Sequence, residues 1–125
     1  MPKKILIIED NNDIRENVEE LLSLTGFEVI TASNGTNGIE IAMLEKPDII
    51  VCDVSMSDVD GYEVLKHLKK NEQSKSIPFI FLTARSEKKD IQYGLSLGAS
   101  GYLVKPFSEK ELISAINNSL LKTSG

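Results

Sequence analysis

Five short apolar runs alternate with five stretches of helical period along this chain. The runs cover Lys4 to Ile8, Glu28 to Thr31, Ile49 to Cys52, Phe79 to Leu82 and Gly101 to Val104. They are short and mostly rich in β-branched or aromatic residues, so they read as strands. Ile49-Ile50-Val51-Cys52 shows no polar alternation, the pattern of a strand covered on both faces of a parallel sheet. Between the runs, apolar residues recur at helical spacing. Ile14, Val18, Leu21 and Leu22 form one stripe, Ile39, Ala42 and Met43 a second, and Val64, Leu65 and Leu68 a third. Ile91 and Leu95 form a fainter fourth, and Leu112, Ile113, Ile116 and Leu120 a fifth. Each predicts an amphipathic helix with one face on the sheet.

Local signals punctuate these elements. Gly26 follows the first stripe as a C-terminal cap would. Ser108 with Glu111 three residues on is a capping-box pattern. Asp13 suits a helix cap or a first-turn acid. Asn34-Gly35, Asp60-Gly61 and Leu97-Gly98 mark connections, and Pro47 and Pro78 stand just before strands. Five strand-then-helix units predict an α/β fold, a doubly wound five-stranded parallel sheet with helices on both faces. Among such folds the flavodoxin-like order 2-1-3-4-5 is common, and we adopt it, although spacing alone does not impose it. Strands 1 and 3 are then neighbours, roughly 4.8 Å apart. Residues 1–125 are expected to form one domain, because the length suits a single core and no linker, repeat or low-complexity stretch interrupts it. The polar end Lys122-Thr123-Ser124-Gly125 reads as a natural tail or a cut within a linker.

Charge and cysteine content narrow the function. Fourteen Lys and Arg against nineteen Asp and Glu leave a net charge of −5. That balance disfavours direct nucleic-acid binding, which depends on neutralising phosphates. Cys52 is the only cysteine, so neither an internal disulfide nor a cysteine metal cluster can form. The apolar run after Lys3-Lys4 stops at Glu9, too soon for a signal peptide, and no run approaches transmembrane length. A cytoplasmic location without membrane contact is expected.

The polar residues that end the strands carry the chemistry. Glu9-Asp10 follow the first, Asp53 the third, Thr83 the fourth and Lys105-Pro106 the fifth. Ligands of open α/β sheets bind outside the carboxyl ends of strands. Three acids, a hydroxyl and an ammonium at that edge suit a hard metal ion and a phosphoryl group. Clustered carboxylates repel one another unless a cation intervenes, and Mg²⁺ joins carboxylates to phosphoryl oxygens. Blander readings exist for each: a turn aspartate, a solvated acidic loop, a strand-end hydroxyl, an exposed lysine. His67, between Lys66 and Lys69, reads as a surface residue, and Cys52, Met43 and Met56 as packing. Asn34-Gly35-Thr36-Asn37-Gly38 lacks the ending of a P-loop.

Taken in order and spacing, these residues resemble the receiver domain of two-component response regulators. The resemblance rests on Glu9-Asp10, on Asp53 with Met56 and Asp60-Gly61 behind it, on Thr83-Ala84, and on the run Gly98 to Phe107. It implies that Asp53 is the phosphoacceptor, that Asp10, Asp53 and the Ser55 main-chain carbonyl ligate Mg²⁺, and that Glu9 acts mainly through water. It also implies a cis Lys105-Pro106 bond, an ammonium from Lys105 and a hydroxyl from Thr83 on the phosphoryl oxygens, with Ala84 beside them. Tyr102 would change rotamer as Thr83 moves toward phosphate, biasing the surface of the fourth helix, fifth strand and fifth helix. The implied partner is a histidine kinase or histidine phosphotransfer protein, and the implied role is that of a signalling switch, not an enzyme acting on other molecules. The output target stays open, as does whether the chain stands alone or belongs to a larger protein.

One departure is Ser57, where the family often has proline; it puts the stiffness of the loop after strand 3 in doubt. A haloacid-dehalogenase-like phosphohydrolase would also use a carboxylate nucleophile, but it expects an acid where Ser55 stands. A degenerate receiver serving only as a binding module would not need the full set of Glu9, Asp10, Asp53, Thr83 and Lys105.

Overall fold

The computed structural model describes residues 2–124. Its elements run β1 (Lys4–Ile8), α1 (Asn12–Leu24), β2 (Glu28–Ala32), α2 (Gly35–Glu45), β3 (Ile49–Cys52), α3 (Gly61–Lys69), β4 (Phe79–Thr83), α4 (Lys88–Ser96), β5 (Gly101–Val104) and α5 (Glu109–Ser124). The strands pair in parallel in the order β2-β1-β3-β4-β5. The predicted doubly wound α/β architecture is therefore the observed one.

Alternation along each strand sends successive side chains to opposite faces, so the sheet has two cores. Leu6, Ile8, Ile50, Cys52, Phe79 and Phe81 pack on one face with Ala42 of α2 and Val64, Leu65 and Leu68 of α3. Ile5, Ile7, Ile49, Val51, Ile80 and Leu82 pack on the other with Val18 and Leu22 of α1 and Leu112 and Ile116 of α5. All four residues of β3 and all five of β4 are buried, which is why these runs lack polar alternation. Phe81 is fully buried, and truncating it to alanine costs about 3–5 kcal/mol.

Short-range chemistry sets the helix ends. The side chains of Asn11, Asn34 and Asp60 accept from the amides of Ile14, Asn37 and Glu63 and cap α1, α2 and α3. Asp13 is thus a first-turn acid of α1, and Asn11 is its cap. Ser108 and Glu111 form the reciprocal box, at 3.1 and 3.0 Å. Helix α1 closes in a Schellman pairing, Gly26 N–H to Ser23 O and Phe27 N–H to Leu22 O, both 3.1 Å.

Two details differ from the pattern. Strands β2 and β4 each run one residue further, to Ala32 and Thr83, because these residues are buried and paired with Ile8 and Val104. In α4 the expected stripe is not the packed face: Leu95 is 46% exposed, and Gly94 is the buried residue. A Cβ on Gly94 would stand 3.0 Å from Tyr102 Cδ2 and 3.1 Å from the Phe81 ring, so the helix packs through a residue with no apolar signal.

Candidate functional site

Parallel pairing brings the polar strand ends to one edge. Ile8 faces Cys52 in the register, so Glu9 and Asp53 emerge side by side, and the Asp53 amide donates to Ile8 O at 3.0 Å. Carboxylate oxygens of Glu9, Asp10 and Asp53 lie within 4.8 Å of one another. Glu9 and Asp53 are buried, whereas Asp10 is exposed. Such an all-oxygen group fits a hard divalent cation such as Mg²⁺.

Lys105 reaches into this group from the end of β5. Its Nζ lies 3.0 Å from Glu9 Oε1 and 3.7 Å from Asp53 Oδ2. Burial pushes the Glu9 carboxyl above its usual range; the Lys105 hydrogen bond lowers it, and the Asp53 charge raises it. Glu9 Oε2 also accepts from Asn11 N–H at 3.2 Å. Beside Asp53, the buried Cys52 thiol is driven well up, by burial first and then by the nearby acids, so it stays protonated at neutral pH. It is a packing residue, as expected, and His67 is exposed on α3.

The connection from β3 to α3 is held at both ends. Asp53 Oδ1 accepts from Ser55 N–H at 3.3 Å, and Gly61 N–H donates to Val54 O at 2.8 Å. A Cβ on Gly61 would stand 2.3 Å from Asp53 O, so only glycine allows this approach. Asp58 ties the middle of the connection to the start of α2. It accepts from Gly35 N–H at 3.1 Å, Thr36 N–H at 3.0 Å and Thr36 Oγ1 at 2.8 Å. These bonds, the Thr36 amide first, hold its carboxyl well below the usual carboxylate range. Asp58 and Gly61 thus restrain the loop that carries Ser57. Asp58 carried no such signal in the sequence, because its bonds span 22 and 23 residues, whereas Gly61 was marked with Asp60 as a connection.

On the other side of Asp53, Thr83 is 1% exposed at the end of β4. Its Oγ1 accepts from Arg85 N–H at 3.2 Å, and Lys105 N–H donates to Thr83 O at 2.8 Å. Ala84 follows, exposed. Arg85 Nε donates to Ser55 Oγ at 3.2 Å across the mouth of the edge, a contact without a sequence signal. The Lys105-Pro106 bond is cis, and Pro106 is exposed. Tyr102 lies apart from the acids; its hydroxyl donates to Arg85 O at 3.1 Å. Among the described residues, no helix is long and apolar enough to cross a membrane.

Comparison with known proteins agrees with this fold. Residues 5–117 match the family model described as the response regulator receiver domain. The chain is 45% identical over 121 residues to "Probable transcriptional regulator ycf27" of Cyanophora paradoxa, covering 97% of this chain and 49% of that one. It is 43% identical over 112 residues to the alkaline phosphatase synthesis transcriptional regulatory protein PhoP of Bacillus subtilis, covering 90% and 46%. It thus spans about half the length of the curated relatives it matches. Among solved structures, chemotaxis protein CheY4 of Vibrio cholerae superposes with a TM-score of 0.90 at 32% identity, covering 95% of this chain and 99% of that one. A response regulator receiver domain protein of Clostridium thermocellum gives 0.91 at 31% identity, covering 98% and 97%. With its acids, hydroxyl and ammonium at the carboxyl edge of a 2-1-3-4-5 sheet, the chain belongs to the response regulator receiver domain family of two-component systems.

Proposed function

We propose that residues 1–125 act as one receiver unit that takes a phosphoryl group onto Asp53 from a histidine kinase or histidine phosphotransfer protein. The observation that carries this reading is the convergence of Glu9, Asp10 and Asp53 within 4.8 Å, with Lys105 Nζ 3.0 Å from Glu9. An Asp53 carboxylate oxygen attacks phosphorus, the phosphorus–nitrogen bond of the donor breaks, and its electron pair stays on the imidazole nitrogen. The product is an acyl phosphate. Positioning and charge neutralisation do most of the work in such transfers. Asp10, Asp53 and the Ser55 main-chain carbonyl are the assigned holders of Mg²⁺, with Glu9 acting through water. Bound there, Mg²⁺ would supply positive charge against the phosphoryl oxygens.

Lys105 exchanges part of its pairing with Glu9 for a phosphoryl oxygen, the kind of charge-assisted bond that is strong in a partly buried site. Thr83 offers its hydroxyl to another oxygen, with the Ala84 segment moving beside it. Tyr102 then biases the surface of α4, β5 and α5 toward an output partner. On this reading the domain works in the cytoplasm, without binding nucleic acid itself, and its only catalysis is its own phosphorylation and dephosphorylation.

Acetyl phosphate with Mg²⁺ tests the reading. Intact mass spectrometry should show one added phosphoryl group on the wild type and none on Asp53→Asn. Equal labelling of Asp53→Asn overturns it.

A further inference from the structure

Tyr62 is 6% exposed in the first turn of α3. It follows Gly61, whose N–H donates to Val54 O at 2.8 Å and whose backbone lies so close to the Asp53 carbonyl that an added Cβ would stand 2.3 Å from it. Its ring meets Phe81 edge-on at 5.2 Å and Tyr93 of α4 at 4.9 Å. Phe81 in turn meets Tyr102 at 5.7 Å. The Tyr62 hydroxyl lies 3.2 Å from Asp90 O in the first turn of α4 and 3.4 Å from the Tyr102 hydroxyl. Burial first, and the Tyr62 contact second, push the Tyr102 hydroxyl up, so it keeps its proton.

A proton count shows what this arrangement can do. Two phenol hydroxyls carry two protons. Three contacts compete for them: Tyr62 to Asp90 O, Tyr102 to Arg85 O, and hydroxyl to hydroxyl. When each phenol serves a carbonyl, the contact between them holds no proton. When either proton moves into that contact, one carbonyl is released. The released group is either the first turn of α4, through Asp90, or the connection from β4 to α4, through Arg85. Helix α4 packs closely on these rings at Gly94, where an added Cβ would stand 3.0 Å from Tyr102 Cδ2 and 3.1 Å from the Phe81 ring, which leaves the rings little room toward α4. The hydroxyls are therefore the part of the cluster able to change partners.

We propose that Tyr62 is a positioning residue that couples Asp53 to α4 and β5, alongside Thr83. The route runs from the Asp53 carbonyl through Gly61 to the Tyr62 hydroxyl, and from there to Tyr102 and Asp90. It rests on the reading of Asp53 as phosphoacceptor and Tyr102 as the responding residue. It adds α3 as a second arm, one that starts from the main chain of the phosphoacceptor itself.

Tyr62→Phe removes the hydroxyl and keeps the ring contacts. The experiment follows amide chemical shifts on adding beryllofluoride with Mg²⁺, at matched occupancy. In Tyr62→Phe, shifts at Val54 and Ser55 should equal those of the wild type, because the loading site is untouched. Shifts from Ile91 to Leu97 should fall by about twofold or more, the size expected for loss of one coupling contact. Combining Tyr62→Phe with Thr83→Ala should lower them below either single variant. Adding Tyr62→Phe to Tyr102→Phe should leave the Gly101-to-Val104 shifts unchanged, which a purely structural defect would not do. Wild-type shifts from Ile91 to Leu97 in Tyr62→Phe overturn the Tyr62 route alone. Absence of any response at Val54 and Ser55 in the wild type overturns the Asp53 reading, and this route with it.

Discussion

Lys105 Nζ donates to Glu9 Oε1 at 3.0 Å, and this pair joins the end of the edge strand β5 to the end of β1 over 96 residues of sequence. Glu9 is 3% exposed, so its carboxylate depends on that ammonium for much of its solvation. The Lys105 ammonium is thus already engaged, and on the proposed reading a phosphoryl group would compete with Glu9 for it.

Lys105→Met is expected to lower stability without Mg²⁺ at neutral pH by about 1–3 kcal/mol, since it leaves a buried acceptor short of its charged partner. Urea unfolding of both proteins checks this. An unchanged midpoint would show that Glu9 is solvated by other means.

Asp10→Asn is expected to weaken Mg²⁺ binding and to raise metal-free stability. Asp10 is the exposed member of three acids within 4.8 Å, and a neutral amide removes its repulsion of the other two along with one charged ligand. Mg²⁺ titrations paired with urea unfolding in chelator read both effects. Identical titrations for the two proteins count against ligation by Asp10.

Asp58→Asn is expected to cost about 1 kcal/mol at neutral pH, the usual value of a cap at a helix start. The Asp58 carboxyl is held low in the folded state, chiefly by the Thr36 amide. Its stabilisation is therefore fully present above the unfolded carboxyl value, about 3.9, and is lost as pH falls through the lower folded value. Solvent screens this exposed group, so the effect stays modest. Unfolding midpoints at neutral and acidic pH should converge for the two proteins as acidity increases. A constant gap would show that the carboxylate charge is not what Gly35 and Thr36 recognise.

Gly61→Ala is expected to destabilise by about 1–3 kcal/mol, as overpacking does, and to slow labelling by acetyl phosphate. The added Cβ would meet Asp53 O at 2.3 Å and Val54 Cα at 2.9 Å, both main-chain atoms that no rotamer change relieves. Calorimetry and mass spectrometry read the two effects. Labelling at the wild-type rate would show that the Asp53 main chain can yield without moving its carboxylate.

Much of this protein was legible in its sequence because the governing interactions are short. Strand runs, helical stripes, the Ser108–Glu111 box and the Gly26 terminus involve residues within a few positions of one another, so period and local hydrogen bonding reveal them. The acids, Thr83 and Lys105 stood out because each interrupts or ends an apolar run, and parallel strands deliver such ends to one edge. The strand order was compatible with the spacing but not required by it; it follows from which faces the helices cover. Tertiary packing alone decided that Lys105 rests on Glu9, that Asp58 restrains the loop by bonding α2, and that Tyr62 meets Tyr102. These contacts join residues 22 to 96 positions apart. The fourth helix shows the same limit from the other side. Its stripe suggested Leu95, yet α4 packs through Gly94, because a close approach to Phe81 and Tyr102 selects for missing volume, which leaves no hydrophobic period to read.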